Sequence, residues 1–137
     1  MRKILRLFFI FMIFASFLWS EEVDFNKIKS INKIPIYPNS WFSNVLSFTG
    51  EKNWLLSYLT NDSIVKVINY YKTALKIKPE RVKYGKTLVV YQFPISYTII
   101  NKQKVLEEGV EVIPFGGFYK KVFKAKIKIK IYVKAPK

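Results

Sequence analysis

The chain contains no cysteine and no histidine. Without cysteine no disulfide can form even in an oxidising compartment, and a thiol nucleophile is excluded. Without histidine the commonest general base is missing, and the two absences together remove the usual ligands of transition metals. Acidic residues are few as well: nine Asp and Glu stand against 24 Lys and Arg in 137 residues, a formal net charge of +15. These gaps leave little for catalysis, so the sequence predicts a protein that is not an enzyme and uses no cofactor or metal. Stability has to come from a packed core.

What is present begins with an address. "MRKILRLFFIFMIFASFLWSEE" places Arg2, Lys3 and Arg6 before an uncharged apolar run from Leu7 to Trp19, followed by the small Ser20 and two glutamates. This is the layout of a secretory signal peptide, although Leu18 is larger than usual three residues before a cut. The apolar run is shorter than the ~20 residues of a spanning helix, so cleavage near Ser20 is expected, the alternative being an uncleaved inner-membrane anchor. The expected organisation is a signal peptide over 1–20, a polar tether over 21–33 and a single domain over 34–137. The product is expected in the periplasm or outside the cell, with no integral membrane segment after cleavage. Three of the 24 basic residues lie in the signal, which leaves 21 against nine acids, or +12, on the exported part. Isoleucine, lysine, asparagine and tyrosine are all abundant, a balance that an AT-rich genome produces by itself, so part of this charge carries no message about partners.

Pro35 and Pro38 in "IPIYPNS" impose an extended path. "SWFSNVLSFTG" and "NWLLSYLT", divided after Gly50 by Glu51 and Lys52, predict a hairpin. In "NDSIVKVINYYKTALKI", Ile64, Val67, Ile68, Tyr71, Ala74 and Leu75 recur at three- and four-residue spacing. Lys66, Asn69, Thr73 and Lys76 fall opposite, which predicts a helix from Ser63 to about Lys76 capped by Asp62 or Ser63. "TLVVYQFP" reads as a central strand. Residues 95–107 fit a strand or a helical turn and stay open. Gly116-Gly117, between two apolar arms, predicts a two-residue hairpin turn. Trp41, Phe42 and Trp54, and Phe115, Phe118 and Tyr119 around that turn, are expected to pack and anchor. The fold class that results is α+β: one principal helix packed on a curved antiparallel sheet of five or six strands.

The last segment, "KAKIKIKIYVKAPK", alternates strictly. Phe123, Ala125, Ile127, Ile129, Ile131 and Val133 share one parity; Lys124, Lys126, Lys128, Lys130 and Lys134 share the other, with Tyr132 among them. One face is therefore expected in the core and the other in water. Burying the inner row gives the strand reason enough to form without a ligand. Interleaved lysines also keep an otherwise apolar strand from aggregating. The alternative is that these five lysines bind an anionic envelope surface or an envelope protein. Export argues against nucleic acid as the partner.

Three short patterns resemble catalytic motifs and are explained otherwise. Ser63-x-x-Lys66 has the spacing of penicillin-binding enzymes but lacks their companion motifs, and helix capping accounts for Ser63. "YGKT" at Tyr84–Thr87 resembles the end of a phosphate-binding loop, yet Glu80 stands where its first glycine belongs. Glu107, Glu108 and Glu111 have no Asp/Asn/Gly loop around them to build a calcium site. Asn61-Asp62-Ser63 is formally a glycosylation sequon at a helix cap.

"IPIYPNS", a strand pair, then "SYLTNDSIVKVINYYKTAL" resembles a pattern of uncharacterised exported bacterial proteins: a Pro-aromatic-Pro opening of the form lPxYPgA, followed by a D-s-x-x-x-V-x-x-F/Y-Y-x-x-x-L helix. It covers Ile34 to Leu75. Asn39-Ser40 stands where Gly-Ala is usual, and the Gly-Trp that often follows the helix is absent. The resemblance implies a helix laid across a curved antiparallel sheet and an exported address; it implies no activity.

Overall fold

The computed structural model describes residues 24–48 and 53–134. Residues 1–23, with the expected signal peptide, and residues 49–52 and 135–137 lie outside them, as do the side chains of Ser47, Phe48, Phe118 and Tyr119. The fold is α+β. Two short strands, β1 (Ser30–Ile31) and β2 (Ile34–Pro35), precede the hairpin β3 (Trp41–Phe48) and β4 (Asn53–Thr60). Helix α1 (Ile64–Leu75) follows, then β5 (Glu80–Tyr84), β6 (Leu88–Ile100), β7 (Gln103–Pro114), a short helix α2 (Gly117–Phe123) and β8 (Ile127–Lys134). Strands β3 to β8 form one antiparallel sheet in the order β3-β4-β8-β7-β6-β5.

Helix α1 forms where the periodicity places it. Ser63 is the N-cap, its Oγ accepting from the Lys66 amide at 3.2 Å, and the helix stops where Lys76 turns left-handed at φ 57°. Val67 and Tyr71 are buried, while Ile64, Ile68 and Leu75 are half-buried against the same core. Ala74, expected on the buried stripe, is exposed. The core beneath α1 gathers Leu56 and Tyr58 of β4, Phe93 of β6, Val110 and Val112 of β7, and Ile127, Ile129, Ile131 and Val133 of β8. The odd-numbered row of the final strand is thus inside, as its alternation requires.

Residues 24–33, expected as a tether, are packed onto the domain. Phe25 stacks on Phe42 with ring centroids 4.7 Å apart, and the Phe42 amide donates to Asn26 Oδ1. Two tyrosines of the core find acceptors on this segment and on β2 just after it: Tyr58 donates to the Phe25 carbonyl at 2.8 Å and Tyr71 to the Pro35 carbonyl at 2.9 Å. A buried hydroxyl without an acceptor is costly, so these bonds fix the path of the segment.

The two halves of the Ile34–Leu75 pattern meet in space. Tyr37 of "IPIYPNS" donates to Asp62 Oδ2 at 2.5 Å, Asn39 donates to Asp62 Oδ1 at 3.0 Å, and Thr60 Oγ1 donates to the Asn39 carbonyl. The Tyr37 bond holds the Asp62 carboxyl below its ordinary pKa. Burial, together with this bond, pushes the Tyr37 hydroxyl up to about 12. The pattern is therefore a clamp between the chain entering the sheet and the start of α1.

Two turns differ from expectation. Gly116-Gly117 makes no hairpin: Gly116 caps α2, which carries the chain from β7 to β8. Residues 95–107 extend β6 and β7 into a long hairpin closed by Asn101 and Lys102, both at positive φ (52° and 65°), as a two-residue turn of this kind needs. "TLVVYQFP" lies next to the edge strand β5, and β8 and β7 occupy the middle of the sheet.

Candidate binding surface

The face of the sheet opposite α1 is the place to look for function, because its composition follows from register alone. Asn44 of β3 stands opposite Ser57 of β4, Ser57 opposite Lys130 of β8, Lys130 opposite Glu111 of β7, Glu111 opposite Gln92 of β6, and Gln92 opposite Glu80 of β5. A polar row thus crosses all six strands. Apolar rows flank it: Trp41, Leu59, Ile113 and Val90 on one side, interrupted by Lys128, and Leu46, Leu55 and Tyr132 on the other.

Glu111 is the centre of the polar row and only 5% exposed. It accepts from Gln92 Nε2 at 2.8 Å and from the Tyr132 hydroxyl at 3.1 Å, and Lys130 Nζ lies 4.0 Å away. A carboxylate sunk this far is retained only when its oxygens are paired, and the two flanking strands, β6 and β8, supply the partners. Burial, reinforced by the neighbouring Glu111 charge, pushes the Tyr132 hydroxyl well above its ordinary pKa. Tyr132, which breaks the lysine row in the sequence, has its role here as a donor to Glu111. At the end of the row, Tyr97 donates to Glu80 at 2.8 Å.

The five lysines separate into two groups. Lys128 and Lys130 are half-buried on this face, between Leu59, Ser57, Ile113 and Glu111. Burial, with the nearby Lys130 charge, lowers the pKa of Lys128. Lys124, Lys126 and Lys134 are exposed. Lys124 is not on the strand at all: it ends α2 in a left-handed conformation at φ 54°. Lys126 precedes β8, its amide bonded to the Thr60 carbonyl. The expected wet face is therefore a partly dry one, in which Leu55, Ser57, Leu59 and Val90 are also buried. The rim carries half-exposed Trp41, Leu46, Tyr84 and Leu88.

Of the three glutamates weighed for a cation, Glu111 joins the polar row, whereas Glu107 and Glu108 both accept from Ser96 Oγ. Among the described residues no three acidic, histidine or cysteine side chains gather as metal ligands. Nor is any described helix long and apolar enough to cross a membrane. No family model, curated protein or solved structure matches this chain.

The sequence contained Glu111, Gln92 and Tyr132 but no sign that they meet, since each lies on a different strand and only the register joins them. One signal was available: an acid at alternating spacing in "GVEVIP" sits between valines, where a wet position on a central strand would be unusual.

Proposed function

We propose that this chain is a non-enzymatic, exported binding module of the cell envelope, which takes an anionic envelope ligand on the sheet face opposite α1. The observation that carries this reading is the composition of that face: a polar row across six strands, bonded together around Glu111, and a half-exposed aromatic and apolar rim, with the exposed Lys124 and Lys126 just before β8 and Lys134 at its end. Side chains already fixed by mutual hydrogen bonds bind with little ordering cost. The charged, apolar and small segments of residues 1–20 support export.

Capture from envelope extract at low and high salt tests this reading. Each lysine lost near an anionic surface is worth roughly 1 kcal/mol, so replacing Lys124, Lys126 and Lys134 with glutamine should weaken retention by about two orders of magnitude. Unchanged, salt-resistant retention would defeat it. A second reading, an accessory subunit docked on a protein partner, draws on the edge strand β3, whose sequence "WFSNVLSF" has no charged residue to discourage strand addition. That interface would survive high salt.

A further inference from the structure

Beyond the sheet, β6 and β7 continue alone. Among the described residues β5 pairs β6 only from Leu88 to Gln92, and β8 pairs β7 only from Gly109 to Pro114. Among the described residues the hairpin from Ser96 to Glu108 has no third strand, and it reaches about 20 Å past the paired part of the sheet at ~3.3 Å per residue. Its exposed side chains are unusual for a free ribbon: Ile99 is 67% exposed, Ile100 45% and Val105 37%, with Ile95 at its base 48% exposed. They occupy both faces, since Ile99 stands opposite Lys104 while Val105 and Ile100 belong to the alternate parity. A protein groove covers one face of such a ribbon; a medium that surrounds the tip covers both.

Charge gathers at the same end of the molecule. Lys102 and Lys104 are on the arm, with Lys104 Nζ 4.1 Å over the Tyr97 ring. Lys76 and Lys78 leave α1 toward β5, whose first residue, Glu80, is opposite Gln92. Lys134 ends β8 on this side, and Asn32 donates to its carbonyl at 3.3 Å, bringing the turn with Lys33 beside it. All six lysines are exposed. The glutamates nearby are engaged: Glu80 by Tyr97, and Glu107 and Glu108 by Ser96.

We infer that the β6–β7 arm is a membrane-docking element, which inserts Ile99, Ile100 and Val105 into the interface of an anionic lipid bilayer while the surrounding lysines meet the headgroup phosphates. Apolar burial at the interface and attraction to anionic lipid act together in such a contact. The inference rests on the envelope-association reading and gives it a second contact point, which shares only Lys134 with the sheet face.

The absence of cysteine allows a direct test. Protein purified after export, its start verified by intact mass, carries Ile99→Cys or, on the exposed side of α1, Thr73→Cys, each labelled with an environment-sensitive fluorophore. With vesicles of phosphatidylcholine and phosphatidylglycerol the label at 99 should brighten and shift to the blue, and the label at 73 should not. Pure phosphatidylcholine should give a much smaller response. Ile99→Ser with Ile100→Ser, at exposed positions, should lower co-sedimentation with anionic vesicles by about tenfold, or ~1.4 kcal/mol, at low and high salt alike. A label at 99 that stays aqueous while the protein still sediments overturns the arm's role and leaves lysine adsorption intact. Absence of vesicle binding overturns it too, while retention on envelope polymer would keep the sheet-face reading. Loss of a captured envelope protein in the double serine variant, with vesicle binding unchanged, would make the arm a protein-docking element instead.

Discussion

Gly109→Ala should be among the most damaging single-methyl changes available to this fold. Gly109 lies in β7 at φ +148°, opposite Pro94 on one side and Tyr132 on the other. A Cβ built on it would sit 2.4 Å from the Phe93 carbonyl oxygen and 3.2 Å from both the Ile95 amide nitrogen and Leu106 Cδ1. Reaching even 3.0 Å requires about 0.6 Å of separation between β6 and β7, beside the fully buried Phe93. Packed interiors resist such shifts, and overpacking costs about 1–3 kcal/mol. The backbone angle, which an L side chain rarely adopts, adds roughly 1–3 kcal/mol. A loss of about 3 kcal/mol or more follows, read as a lowered urea midpoint with unchanged slope. Two other glycines calibrate it. Gly85 has positive φ (65°) but nothing within 4 Å, so Gly85→Ala should cost only about 1–2 kcal/mol. Gly117 has open space and begins α2, so Gly117→Ala should fall within about 0.5 kcal/mol or stabilise. If Gly109→Ala matches Gly85→Ala, the close approach of β6 and β7 is wrong.

Acid should loosen the clamp at the start of α1: because Asp62 is held below its ordinary pKa in the fold, its contribution is complete above the unfolded value and disappears as pH falls through the lower folded one. Tyr37→Phe should therefore flatten the acid limb of urea midpoint against pH, and an unaltered limb would unlink the pair from stability. At the other end, burial pushes Tyr37, Tyr58 and Tyr97 up to about 12, with Tyr71 and Tyr132 higher still. The folded state holds these protons more tightly than the unfolded one, so stability is intact below about pH 10 and falls as pH rises toward 12; Lys128, lowered by burial, acts in the opposite sense. Ultraviolet titration should show these phenols ionising together with unfolding, and gradual ionisation in folded protein would count against their burial. Tyr71→Phe removes the donor to the Pro35 carbonyl and should cost about 1–2 kcal/mol, whereas Asn69→Ala on the exposed side of α1 should stay within about 0.5 in the same denaturation series.

How much of this was legible depended on whether the information was local. Helix α1 was, because its apolar spacing, its Ser63 cap and its buried Val67 and Tyr71 all lie within one short stretch. The inner row of β8 was equally plain, since strict alternation fixes parity. Alternation says nothing of depth, however: that Lys128 and Lys130 are half-buried depends on Leu59, Ser57, Ile113 and Glu111 of two other strands. The Gly-Gly turn was misread because glycine permits a turn without requiring one. The actual two-residue turns use Asn-Lys, and the sequence repeats the cue as Ile-Asn-Lys at 31–33 and 100–102. Asparagine tolerates left-handed backbone better than most residues, so the repeat was readable.

The position of β8 changes what its lysines are for. It is the last strand in the chain, and it joins the hairpin β3–β4 to the β5–β6–β7 meander; β4 and β7 each pair with β8. Until β8 enters, Leu56 and Tyr58 on one side and Val110 and Val112 on the other lack the isoleucines that pack between them, and Glu111 lacks Tyr132 and Lys130. In the native sheet both edges of β8 are paired, so its lysines are not blocking strand addition there. We expect them to act earlier, during folding, while this alternating apolar strand is still unpaired. Replacing Lys126 and Lys128 with glutamine leaves the Lys130–Glu111 pair in place and relieves a half-buried charge. Native stability should therefore hold within about 0.5 kcal/mol, while aggregation during refolding from urea rises steeply with protein concentration. Light scattering through refolding, beside equilibrium denaturation of the same variant, separates the two effects. Equal scattering from variant and parent would mean that the lysines do not guard the unpaired strand.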